Sequence, residues 1–225
     1  MNRIAAIRHR LATEGPPRTI GHDFETVTLP ARDCDLVRDL LVAEGARSVV
    51  EIGLAFGSSA LAVAEALAGG SGSRHVIIDP FQQPAFDNIG RDLLLEAGAA
   101  FDLVESPSSV ALPQLLGTSV DATFVDGSHR FHEVFVDFYY LRKIVRPGGL
   151  VIVDDDWAPS VRTAVRYYER NLGWTALPDA FVGGTLRHLD DDPAAESVPR
   201  CRALRLPDSP FEPRFEDFVP FQVGG

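Results

Sequence analysis

Val49-Val-Glu-Ile-Gly53-Leu-Ala-Phe-Gly57-Ser-Ser59 decides how this chain folds. A short apolar run rich in β-branched residues ends in two glycines four positions apart, and an alanine- and leucine-rich stretch over 58–68 follows at once. The run reads as a buried strand and the stretch after it as a helix. A strand that feeds a helix through a glycine turn opens a parallel βαβ unit, because glycine lets the backbone reverse tightly and lets a ligand approach the helix N-terminus.

The same alternation continues along the chain. His75-Val-Ile-Ile78, Phe101-Asp-Leu-Val104, Asp121-Ala-Thr-Phe-Val125 and Gly149-Leu-Val-Ile-Val153 read as four more buried strands. Helical character fills the gaps: 86–97 carries an apolar stripe, and Phe131, Val134, Phe135, Phe138, Leu141 and Val145 recur every three or four residues. Arg146-Pro-Gly-Gly149 stops that helix, since proline cannot continue the ladder and glycine tolerates the reversal. A sixth helix is expected over 160–171, and runs around 180–189 and 201–206 are expected to close the sheet as an antiparallel pair. Residues 190–199 are polar and proline-containing, which predicts an exposed loop. The tail spaces Phe211, Phe215, Phe218 and Phe221 among prolines and acids, a pattern too broken for a helix and expected to pack across the domain.

At 225 residues, with 45% hydrophobic and 24% charged residues, the chain is one globular α/β domain: an extension over 1–27, a core over 28–206 and a tail over 207–225. The formal charge of −11 disfavours nucleic acid and anionic membrane as partners, because phosphate binding needs clustered cations. A small-molecule partner is expected instead. Cys34 and Cys201 are the two cysteines, too few for a disulfide framework or a zinc cluster, which fits a reducing cytoplasm. No run approaches membrane-spanning length. Association into a homo-oligomer is left open.

Ligands of open α/β sheets bind outside the carboxyl ends of the strands. Here the first strand ends at Glu51 and Gly53, the second at Asp79, the third at Glu105, the fourth at Asp126 and the fifth at Asp154-Asp-Asp156. Every parallel strand thus delivers a carboxylate to one edge. Dinucleotide-binding folds also open with a glycine turn, but theirs is G-x-G-x-x-G around a pyrophosphate, whereas this one is G-x-x-x-G. A second-strand acid suits ribose hydroxyls, so a ligand with a ribose and a carboxylate fits better than one with a pyrophosphate.

Val49 to Gly57, Val76-Ile-Ile-Asp79, Ala122-Thr-Phe-Val-Asp-Gly-Ser-His129 and Arg146-Pro-Gly-Gly-Leu-Val-Ile-Val-Asp-Asp155 resemble, in order and spacing, the successive motifs of class I S-adenosylmethionine-dependent methyltransferases. The likeness is greatest to the metal-dependent O-methyltransferases of catechols and macrolide sugars, and it covers about residues 28–171. The resemblance implies a Rossmann-like, doubly wound seven-stranded sheet, mostly parallel with one antiparallel strand, in the order 3-2-1-4-5-7-6. It also implies roles. Gly53 and Gly57 would line the cofactor loop, with Ser59 near the methionine carboxylate and Glu51 near the amino end. Asp79 would hold the ribose hydroxyls, and Ser108 would lie beside the adenine. The family often covers the adenine with a tryptophan after the fourth-strand acid, and this chain departs from that pattern with Gly127-Ser128.

If strands four and five are neighbours, their ends lie about 4.8 Å apart, close enough for Asp126, Asp154 and Asp155 to share a hard cation such as Mg²⁺. That ion would lower the pKa of an acceptor hydroxyl. His129, three residues after Asp126, is the candidate base, with an ordinary pKa near 6.5. His132 reads as a rim residue, and Arg162 and Arg166, one turn apart, as an exposed charged face. The expected activity is O-methylation of a small sugar, phenol or natural-product intermediate. Two alternatives stay open: metal-free O- or N-methyl transfer, and a cofactor-binding scaffold without transfer.

Overall fold

The computed structural model describes residues 2–220. The chain begins with α1 (Arg3–Glu14), α2 (Phe24–Val27) and α3 (Ala31–Glu44), then enters the alternating core with β1 (Ser48–Ile52) and α4 (Ser58–Leu67). It continues through β2 (Arg74–Ile78), α5 (Ile89–Ala97), β3 (Asp102–Val104), α6 (Ser108–Ala111), β4 (Val120–Val125), α7 (Phe131–Ile144), β5 (Val145–Val153) and α8 (Pro159–Leu172). Four short strands follow: β6 (Thr175–Ala176), β7 (Leu186–His188), β8 (Ser197–Pro199) and β9 (Arg202–Arg205). No helix among the described residues is long and apolar enough to cross a membrane.

Seven strands form one sheet in the order β3-β2-β1-β4-β5-β9-β6, and β7 and β8 form a separate hairpin. Leaving that hairpin out of the numbering, the order is the expected 3-2-1-4-5-7-6. Strands β1 to β5 pair in parallel, and β9 alone runs antiparallel, against both β5 and β6. The pleat sorts side chains between two layers. Val50 and Ile52 of β1 and Val151 and Val153 of β5 pack with α7 and α8 around Phe138 and Tyr168. Val49, Leu150 and Ile152 face α3 and α4. Helix α1 joins α4 and α5 in a third cluster that holds Phe56 of the glycine turn.

Three expectations change. The partner of the 202–205 strand is Thr175–Ala176, not 180–189. Residues 190–199 are not simply a loop: they supply a short helical turn and β8, which pairs with β7. Arg146-Pro-Gly-Gly149 lies inside β5 as a bulge, with Val145 opposite Val120 and Leu150 opposite Ala122. The chain escapes the ladder there because Pro147 has no N–H to offer. The tail does lie across the domain. Asn171 of α8 exchanges hydrogen bonds with the Val219 backbone at 2.7 and 3.2 Å, and Arg142 of α7 holds Glu212 at 2.9 Å. These anchors are polar, and Phe215 is fully exposed. Phe221 lies outside the described residues. Both anchor points sit toward the C-terminal ends of helices that run against the strands, so the tail is at the sheet edge opposite the strand carboxyl ends.

Phe138, without exposed surface, meets Tyr168 and Trp174 edge-on or tilted at ring distances of 5.4 and 5.3 Å. Phe138→Ala is expected to cost about 3–5 kcal/mol of stability, read as a lowered midpoint in urea unfolding.

Candidate active site

Gly53 and Gly57 shape the turn between β1 and α4, with φ of 95° and 88°, values that L side chains rarely adopt. A Cβ on Gly53 would lie 2.0 Å from the Asp126 carbonyl oxygen. The ends of β1 and β4 can therefore approach only because this residue has no side chain. Ala55 also has positive φ, 44°, and the strain is held by two buried side chains from the end of β2. Asp79 Oδ2 accepts from the Leu54 and Ala55 amides at 2.8 and 3.1 Å, Asp79 Oδ1 accepts from Phe81 N at 2.6 Å, and Gln82 Nε2 donates to the Ala55 carbonyl at 2.8 Å.

Asp79, expected to meet a ribose, thus first of all fixes the glycine turn, and one acceptor position on Oδ1 is left for a hydroxyl. Glu51 and Ser59 take places different from those expected. Both are buried. Ser59 Oγ donates to Glu51 Oε1 at 2.6 Å, and Glu51 Oε2 lies 2.7 Å from Nε2 of the buried His75, so the pair supports the turn from beneath instead of facing a ligand. Helix α4 has no side-chain cap, which leaves its first-turn N–H groups for an anion. Gly53, Gly57, Asp79 and the uncapped end of α4 thus meet at one turn.

Ser108 opens α6 near Asp137 of α7. Asp137 is buried, its Oδ1 has no hydrogen-bond partner, and burial pushes its pKa up to about 7, with the Glu133 charge adding to the rise. No sequence signal pointed to this acid, because it sits in the middle of a helix.

At the reaction edge, ligand atoms of Asp126, His129 and Asp155 all lie within 4.8 Å of one another. His129 Nε2 is 2.9 Å from Asp155 Oδ2 and 3.7 Å from Asp126 Oδ1. Asp154 is not brought into this group. Ile152 faces α3 and α4, and Asp154, two residues on, keeps that direction in the pleat. There it is enclosed: Arg200 Nε and Nη2 donate to its carboxylate at 2.9 and 2.6 Å, and the Cys201 thiol at 3.1 Å. A cation shared by Asp154 is thereby replaced by the guanidinium. Asp155 adopts φ 57° and turns the other way, with Oδ1 accepting from the Trp157 indole at 2.7 Å and lying 3.2 Å from Arg200 Nε. Asp156 faces Arg202.

Burial and then the Asp154 charge push the Asp126 carboxyl up to about 7. The hydrogen bond from His129 and the Arg200 charge hold Asp155 below the ordinary carboxylate range against its burial. Hydrogen bonds to Asp126 and Asp155 push His129 up to about 10. The imidazole of the free site therefore carries a proton at neutral pH, unlike an ordinary histidine, and can accept one only when charge near the two carboxylates is neutralised.

Arg162, read as part of an exposed face, is buried and braces the 186–199 hairpin. It donates to the Trp157 carbonyl at 2.9 Å and to Asp190 at 2.6 Å. Arg166 does lie at the surface of α8, paired with Glu169 at 3.0 Å. His132 stays exposed. Arg200 and Trp157 were not legible beforehand: one reaches the site through strand pairing, the other through a turn.

Residues 50–155 match the family described as a methyltransferase domain. That match spans slightly less than half of the chain. Its fold is also that of solved S-adenosyl-ligand complexes. It shares 19% identity with an O-methyltransferase from Bacillus cereus in complex with SAH, covering 91% of this chain and 90% of that one at a TM-score of 0.62. The O-methyltransferase TomG from Streptomyces achromogenes, involved in tomaymycin synthesis and solved with SAM, gives 18% identity, 92% and 90% coverage and a TM-score of 0.61. The SAH-bound methyltransferase PaMTH1 from Podospora anserina gives 13% identity, 92% and 89% coverage and a TM-score of 0.66. At these identities the likeness is one of fold. No curated protein matches the sequence.

Arg200→Ala would leave Asp154 charged and unpaired in the interior, and a loss of about 3–5 kcal/mol is expected in chemical unfolding. For Asp137, the folded-state pKa is raised, so its ionisation opposes folding. Stability is lost as pH rises from about 4 toward 7 and is flat above. Asp137→Asn is therefore expected to unfold at higher urea than the wild type at pH 8, by on the order of 2 kcal/mol more than at pH 5.

Proposed function

We propose that this protein transfers a methyl group from S-adenosylmethionine to a hydroxyl of a small-molecule acceptor, with Asp126 and Asp155 holding a divalent cation such as Mg²⁺ and His129 taking the proton. The carrying observation is the convergence of Asp126, His129 and Asp155 within 4.8 Å, joined to the glycine turn by the close approach of Gly53 to Asp126.

Each part of the cofactor meets a suited group. The methionine carboxylate fits the uncapped N-terminus of α4. A ribose hydroxyl fits the remaining acceptor position of Asp79. Phe81, exposed just beyond β2, offers an apolar face to the base where Gly127-Ser128 cannot, and Ser108 lies at the same edge. A bound divalent cation would polarise the acceptor hydroxyl and lower its pKa. His129 is held at Nε2 by Asp155, 2.9 Å away, so the ring would take the acceptor's proton on Nδ1 and Asp155 would balance the resulting charge. A cytoplasmic setting is supported by the two buried, free thiols.

A metal-free reaction has one observation in its favour: Arg200 already lies 3.2 Å from Asp155 and neutralises Asp154. Methyl transfer assayed on hydroxylated acceptors separates the readings. Turnover is expected to fall at least 100-fold in EDTA and to return with Mg²⁺, and His129→Ala is expected to lower kcat about 10²–10⁴-fold with cofactor affinity, measured by calorimetry, unchanged. EDTA-resistant turnover would select the metal-free reaction. Cofactor binding with no transfer to any acceptor would mark a scaffold.

A further inference from the structure

The hairpin of β7 and β8 enters the fold between β6 and β9, and because β9 runs antiparallel to β5, the chain just before Arg202 stands at the carboxyl end of β5, beside the reaction edge. It is fastened on three sides. Thr185 at its base hydrogen-bonds Asp33 of α3, Arg200 at its exit holds Asp154, and Asp190 near its tip takes Arg162 and donates its own N–H to the Trp157 carbonyl at 3.1 Å. Such bracing makes the hairpin a fixed wall and not a loose loop.

Two side chains connect this wall to the site. The Trp157 indole N–H is spent on Asp155, one of the three converging residues, which fixes the ring alongside them. Arg187 of β7 lays its guanidinium over that ring, 5.7 Å from the centroid. Arg187 is exposed, and among the described residues no carboxylate is paired with it. Arg162, Arg200 and Arg202 nearby are all paired with carboxylates.

We infer that Trp157 and Arg187 select the acceptor, and that its class is a hydroxylated aromatic acid. This rests on the reading of Asp126, His129 and Asp155 as the methyl-transfer centre. With its hydroxyl at that centre, a planar ring extends along the indole and brings a carboxylate on its far side to the unpaired guanidinium. A guanidinium suits this place because its planar fork binds carboxylate in two-point fashion and stacks on an aromatic face at the same time. The ring contributes apolar contact, and the charge pair discriminates against the uncharged analogue.

Calorimetry of the SAH-loaded protein with 3,4-dihydroxybenzoate and with catechol tests this without requiring turnover. The acid is expected to bind at least tenfold more tightly than catechol. Arg187→Ala should erase that preference and leave SAH affinity unchanged, Arg187→Lys should keep part of it, and Trp157→Phe should weaken both compounds. Equal binding of the two compounds by the wild type, no binding of either, or a preference that survives Arg187→Ala would overturn the inference. Methyl transfer to 3,4-dihydroxybenzoate at a rate indifferent to Arg187→Ala would also overturn it while leaving the proposed reaction intact, whereas failure to bind SAH at all would remove the proposed reaction itself.

Discussion

Arg200 lies with its guanidinium between Asp154 and Asp155, both nearly inaccessible to solvent. Three consecutive carboxylates at the end of a buried strand would repel one another and lose their hydration together, and burial of that kind is tolerated only with a counter-charge and satisfied hydrogen bonds. The guanidinium supplies both. Fully pairing Asp154 leaves Asp155 free to turn through a left-handed residue and meet His129. The same contact ties the strand pair β5 and β9 to the base of the hairpin, so the electrostatics of the site and the position of its outer wall have one origin.

The second constraint is steric. The Gly53 position admits no side chain, because the Asp126 carbonyl occupies the space a Cβ would take. Contact at this point brings the cofactor side of the crevice and the acidic side within reach of each other. Asp79 and Gln82 then hold the strained turn through hydrogen bonds to its backbone, a form of preorganisation in which the binding loop is rigid before any ligand arrives. Glu51, Ser59 and His75 add a buried polar chain below it. Three acids that end strands therefore do different work: Glu51 supports the turn, Asp79 shapes it, and Asp126 lies beside His129 and Asp155.

Much of the core was legible because its physics is local. Strand runs such as Gly149-Leu-Val-Ile-Val153 and the apolar stripe of 131–145 carry their period in the sequence, and β1, β4 and α7 formed within a residue of where that period placed them. The closing strands were less legible. Thr175–Ala176 is two residues long and pairs only because β9 is already in place, and nothing in 190–199 announced that part of it would form β8. The polar roles failed for a similar reason: a carboxylate at a strand end is visible, but which donors it meets is not.

Hydrophobic periodicity and glycine placement by themselves determined the alternation of strands and helices, the parallel sheet it implies and the edge at which Asp79, Asp126 and Asp155 would gather, because burying apolar faces on a right-handed βαβ path admits few arrangements, while the order of the strands came from the family resemblance. Tertiary structure alone decided that Asp154 would be sealed by Arg200, that His129 would stand between Asp126 and Asp155, and that Trp157 and Arg187 would flank them. Those outcomes depend on side chains brought together by strand β9 and its hairpin from as far as 46 residues along the chain, and charge pairing acts through space, where sequence separation has no bearing on distance.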